Sequence, residues 1–126
     1  MIQRANAGTL LLVTVIVACL LPLAAEEASL LRRAKGKDLK RENPMALDPD
    51  SAAAGKRLFE RHCARCHGTQ GKPSERGPSL DRREVREAAP GALFWVLKNG
   101  GGKMPSWSEL PEPQRWQLIS YLQAEP

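Results

Sequence analysis

Five consecutive residues constrain this chain more than any other feature: Cys63-Ala64-Arg65-Cys66-His67, a C-x-x-C-H string. On a helical turn, residues i and i+3 lie on one side. Two thiols so placed can meet the two vinyl groups on one porphyrin edge, and the histidine that follows can bring an imidazole nitrogen to the iron. The spacing is the attachment signature of c-type haem. Two other chemistries use the same residue types. A redox dithiol needs a βαβ setting, and no stretch of this chain alternates apolar and polar residues convincingly. A zinc site from His62, Cys63, Cys66 and His67 would crowd adjacent residues around one tetrahedral ion, with no second ligand pair. Haem attachment is the reading that suits both spacing and context.

The iron then needs a ligand on its other face. The chain has two histidines, and His62 is tied to the same side as His67, so it is expected at the surface. Beyond the N-terminal segment the methionines are Met45, ahead of the first expected helix, and Met104, 37 residues past His67. Met104 sits in Gly102-Lys103-Met104-Pro105, a glycine-rich loop able to cross the opposite face. A lone methionine is otherwise core filler; the loop context makes Met104 the expected second ligand. Its thioether would stabilise reduced iron and raise the potential.

Covalent haem attachment requires export, and the N-terminus agrees. Ala5 to Ala25 carries no charge over 21 residues, follows Arg4, and is succeeded by Glu26 and Glu27. Residues 1–25 therefore read as a signal peptide or a membrane or lipid anchor. Cleavage after Ala25, lipidation of Cys19 in the lipobox-like Ile16-Val17-Ala18-Cys19, and retention of residues 5–25 as a membrane tether are all compatible with it. Each places the rest of the chain outside the cytoplasm, in the periplasm or on a periplasm-facing membrane. Residues 26–45 carry ten charges in twenty positions and no aromatic, which reads as a charged linker, most simply a solvated tether.

The haem domain is expected over residues 46–126. It holds only 29 of the chain's 53 apolar residues, nine of them alanine, and all six aromatics. Domains this small are marginal on apolar burial alone, and a buried porphyrin would complete the core. Four helices are expected: 52–62, capped by Asp50 or Ser51; a short one at 82–88; one from Pro90 to Asn99-Gly100; and 112–124, with Leu118, Tyr121 and Leu122 on one face. The class is small, all-α and loop-rich. A net charge of +5 favours acidic partners but is too weak to imply nucleic acid, and no nucleic-acid-binding signature is present.

These residues resemble class I cytochrome c of the compact bacterial single-haem type, over about residues 43–124. Gly55 and Phe59 match its first helix, Cys63, Cys66 and His67 its haem motif, and Gly77-Pro78-Ser79-Leu80 the loop whose proline carbonyl orients the proximal histidine. Ala92–Gly100 matches the helix before the ligand loop, Met104-Pro105 the distal ligand, and Leu118–Leu122 the terminal helix. The resemblance implies a cytochrome c-like fold around one covalent haem c, with first and last helices crossing at Gly55 and Phe59 meeting Leu118 and Tyr121. Pro111 and Pro113 depart from the pattern where the last helix should start, although proline is tolerated in a first turn.

With His67 and Met104 both on iron, no site would be open for substrate. The expected function is one-electron transfer between protein redox partners, not enzyme catalysis. A fixed cytochrome subunit of a larger oxidoreductase or respiratory complex is the alternative, and a ligand-binding sensor or peroxidase-like protein a further one. Leu80, Leu93, Phe94, Trp95 and Trp107 are candidates for lining the haem, and equally for generic core. Arg65, Lys72, Lys98 and Lys103 are candidates for steering an acidic partner.

Overall fold

The computed structural model describes residues 30–72 and 74–124. The expected export segment, with Cys19, lies outside these residues. Among the described residues there is no β-strand, and no helix is long and apolar enough to cross a membrane.

Five helices carry the fold: α1 (Ser51–His62), α2 (Ala64–His67), α3 (Arg83–Arg86), α4 (Pro90–Asn99) and α5 (Glu112–Gln123). Four lie where periodicity and caps place them; the additional one, α2, is a single turn inside the C-x-x-C-H string. Proline at the first turn of α4 and α5 suits positions whose N–H would be unpaired anyway. Pro111 precedes α5, and its carbonyl accepts from Gln114 N and Arg115 N at 3.0 and 3.2 Å, so the two prolines start the helix cleanly. Gly100, at φ +65°, ends α4. The expected cap on α1 is not formed: Asp50 makes no side-chain cap bond, and the Ser51 hydroxyl instead donates to Ser120 Oγ across the domain at 2.9 Å.

Helices α1 and α5 cross at Gly55. A Cβ there would lie 1.9 Å from the Gln117 carbonyl oxygen, so only glycine admits this approach. One turn on, the Phe59 ring meets Tyr121 at 5.3 Å, and Phe59, Leu118 and Ile119 are essentially sealed from solvent. The crossing expected from Gly55, Phe59, Leu118 and Tyr121 is therefore present.

Helix α5 buries more than the one expected face. Arg115, Trp116 and Ile119 are buried as well, because α1 covers one side of the helix and α4 another. Trp116 stacks on Phe94 of α4 at 4.3 Å and 24°. Leu58, Val85, Leu93 and Leu97 complete the same apolar cluster.

The segment expected to be a solvated tether lies against this body. Residues 30–33 are helical, Gly36–Lys40 form a 3₁₀ turn, and Ala34, Asp38 and Asn43 are buried. The buried Asp38 carboxylate is flanked by Arg41 and Lys98, each 3.6 Å away. The Arg41 guanidinium lies 4.2 Å from the Phe94 ring centre and pairs with Glu112. Asn43 Nδ2 donates to Ser120 Oγ at 2.9 Å and the Trp116 carbonyl at 3.2 Å. A charge-rich composition concealed this docking because the charges pair with, or stack on, groups far away in sequence.

Candidate functional site

Helix α1 delivers the motif. The backbone passes from His62 through Cys63, at φ −113° and ψ −37°, straight into α2. His67 N donates to the Cys63 carbonyl at 2.9 Å, and Cys66 N to the same oxygen at 3.0 Å. Cys63 and Cys66 thus sit one turn apart on a continuous helical path, as the spacing predicts, and no disulfide joins them. Burial pushes the Cys63 thiol up to about 11, with the neighbouring Cys66 adding to the shift. A thiol held un-ionised at neutral pH lacks the lowered pKa of a reactive redox dithiol.

The imidazole of His67 is oriented from the far side of a loop. Its Nδ1 lies 2.8 Å from the Pro78 carbonyl oxygen. With Nδ1 carrying the proton, that contact is a donated hydrogen bond and leaves the Nε2 lone pair free for a metal. Gly77 makes the approach possible: a Cβ there would stand 2.7 Å from the Cys66 carbonyl oxygen and 3.2 Å from His67 Nδ1. The Ser74 hydroxyl donates to the same Cys66 carbonyl. Gly71, at φ +72°, folds the loop back, and its carbonyl accepts from Leu80 N at 2.8 Å and Ser79 Oγ at 3.0 Å. Two pinned ends therefore hold Pro78 against His67.

Met104 occupies a tight turn after α4. Gly101 and Met104 exchange both backbone hydrogen bonds, at 2.9 and 3.0 Å. Gly100 and Gly102 supply the left-handed conformations this needs, at φ +65° and +57°. Trp107 N donates to the Leu97 carbonyl at 2.8 Å, which returns the loop onto α4. Cys63, Leu80, Met104 and Trp107 all border the same apolar cluster. His67 and Pro78 touch directly, whereas Cys63 and Met104 share only that margin.

Other residues differ from the sequence reading. His62 is half-buried, its ring 5.5 Å from Trp107 and edge-on to it, because the last turn of α1 faces the methionine loop. Phe94, a candidate for lining a cofactor, spends its ring faces on Trp116, Arg41 and Arg115 and is structural core. Lys98 pairs with Asp38; Arg65, Lys72 and Lys103 are exposed. A groove of about 300 Å³ between α1 and α5, lined by Ala54, Arg57, Leu58, Arg61, Gln114 and Gln117, contains none of the motif residues.

Among the described residues, no three His, Cys, Asp or Glu side chains converge as a metal-binding group. Two thiols one helical turn apart, one oriented imidazole and one thioether in a separate loop are the kinds of donor that would hold a haem.

Fold and motif together define a cytochrome c-related helical domain. The chain belongs to the family described as cytochrome c oxidase, cbb3-type, subunit III, which matches residues 50–122, more than half its length. No curated protein and no solved structure matches it.

Proposed function

We propose that this chain is a haem-bearing electron-transfer subunit of a respiratory oxidase complex facing the periplasm. The family match carries this reading over that of a free carrier, since the family takes its description from one subunit of an oxidase. In this reading Cys63 and Cys66 would attach one haem c, and His67 and Met104 would hold its iron. When bound, the haem supplies reversible one-electron exchange at iron.

The chain's own residues set the conditions for that exchange. The Pro78 carbonyl fixes the His67 ring and makes its free nitrogen a stronger donor. Met104 favours the reduced state. Half-buried Cys63 would set one attachment point against the apolar cluster, while exposed Cys66 would leave the other at the surface. With His67 and Met104 both held on the iron, no position would be open to a substrate, and the domain's part would be to pass electrons. The sensor or peroxidase-like alternative would need Met104 to leave the iron.

The decisive test is mass spectrometry and optical spectroscopy of protein matured in a periplasm. The expected result is one haem attached through Cys63 and Cys66, and a sulfur-to-iron charge-transfer band that Met104→Ala abolishes. Haem-free protein, or ligand-free high-spin ferric iron in the wild type, overturns the assignment. Co-purification with oxidase subunits is expected for a fixed subunit; migration alone in native membranes and extracts would return the free-carrier reading.

A further inference from the structure

Two glycines of the domain have no conformational reason to be glycine. Neither Gly91 nor Gly101 has a positive φ, so an L side chain would suit both backbones. Both glycines are approached by residues 30–41: Gly91 by backbone that cannot yield, and Gly101 by the tip of the Leu30 side chain. A Cβ on Gly91 would lie 1.9 Å from the Asp38 carbonyl oxygen and 3.0 Å from that of Arg41. A Cβ on Gly101 would lie 2.3 Å from Leu30 Cδ2, and its next neighbours would be other Leu30 carbons. The haem domain is therefore shaped to receive the segment that precedes it.

That segment touches three parts of the domain in order. Leu30 covers Gly101, the residue that closes the methionine turn by bonding both ways with Met104. Leu31 packs on the apolar cluster. The chain then crosses α4 at Gly91, where Asp38 holds Lys98. It ends on α5, through Arg41 to Glu112 and Asn43 to Ser120. Residues 30–43 themselves lie outside the family match over 50–122, whereas the residues that receive them lie within it.

We propose that residues 30–43 form a strap that holds the Gly101–Met104 turn against the domain, with Leu30 as a positioning residue for Met104. The inference rests on Met104 being an iron ligand, as proposed above. Gly100 and Gly102 give the turn its shape but also leave it with little side-chain packing of its own. Leu30 supplies that packing from outside. A loosened strap lets Met104 leave the iron more readily without disturbing attachment at Cys63 and Cys66.

Imidazole competition in the ferric holoprotein tests this, read as loss of the sulfur-to-iron band. Leu30→Ala is expected to bind imidazole about tenfold more tightly, equivalent to about 1.4 kcal/mol. Leu30→Met, which keeps the contact, should match the wild type. Unchanged imidazole affinity in Leu30→Ala, or a Leu30→Met variant as easily displaced as Leu30→Ala, overturns the strap. Absence of the band in the wild type, or its survival in Met104→Ala, instead overturns the ligand assignment. If Leu30→Ala does not retain haem, hydrogen exchange in the wild-type holoprotein decides. The Ala34 and Met104 amides should open with one shared free energy, and independent opening overturns the proposal.

Discussion

Replacing Gly55 by alanine tests the helix crossing on which the domain is built, and the sign of the effect is informative. In a helix interior, alanine is favoured over glycine by about 1 kcal/mol. If Gly55 were there only by backbone tolerance, Gly55→Ala would stabilise. The added Cβ, however, would meet Gln117 O at 1.9 Å, Gln117 C at 2.6 Å and Tyr121 Cβ at 2.9 Å. Two of these three atoms are backbone and cannot rotate away. Restoring ordinary contact near 3.4 Å requires α1 and α5 to part by about 1.5 Å. A gap of that size also forfeits dispersion between Phe59 and Tyr121. Overpacking costs up to about 3 kcal/mol where neighbours can yield, so the interface should lose at least that much here. After the propensity gain, a net loss of about 2 kcal/mol or more remains. For a domain of this size, that lowers Tm by roughly 8–16 °C. Thermal unfolding followed by far-ultraviolet circular dichroism measures it. A Tm equal to or above the wild type would refute the close crossing.

Other expectations follow from contacts at a distance from that crossing. Ser120→Ala removes the oxygen that accepts from both Asn43 and Ser51; with Ser51 1% exposed, the orphaned donors should cost about 1–3 kcal/mol in urea unfolding. The hydrogen bond from Arg41 holds the Glu112 carboxyl below its ordinary value of 4.5. The unfolded chain therefore takes up this proton first as pH falls, so the contribution is present above about 4.5 and lost as pH drops through the lower folded value. Glu112→Gln, uncharged at every pH, should lower the neutral region slightly, since the pair is exposed, and meet the wild type at low pH, which makes the acid limb shallower; an identical profile would contradict the pairing. Gly77→Ala should push Pro78 off His67, weaken the imidazole as a donor and raise the reduction potential of the haem-loaded protein in protein-film voltammetry. An unchanged potential would show that the loop does not act through His67.

Much of the site was readable in one dimension because its parts are local. Cys63, Cys66 and His67 are bound by one helical turn, and Gly100-Gly101-Gly102 announces a tight turn ahead of Met104. Helices α1, α4 and α5 declared themselves through proline starts, a glycine stop and apolar spacing. What escaped notice depends on partners remote in the chain. His62 reads as a surface residue until Trp107 arrives beside it. Phe94 reads equally as a cofactor-lining aromatic or as generic core until Trp116, Arg41 and Arg115 occupy its ring. Residues 30–43 read as a tether because a charge count cannot show that Asp38 has a buried seat between Arg41 and Lys98.

The sequence by itself determined which groups this chain offers for the chemistry proposed. Thiol spacing, the adjacent imidazole and the methionine in its glycine loop are properties of covalent order, and helical periodicity converts that order directly into geometry. Only the tertiary structure decided how those groups are steadied. The Pro78 carbonyl reaches His67 because Gly77 leaves room beside Cys66, and Leu30 reaches the methionine turn because Gly101 leaves room there. A glycine in the sequence shows that a side chain is missing. It does not show whether the backbone needed an unusual angle or another segment needed the space, and that distinction exists only once the chain has folded back on itself.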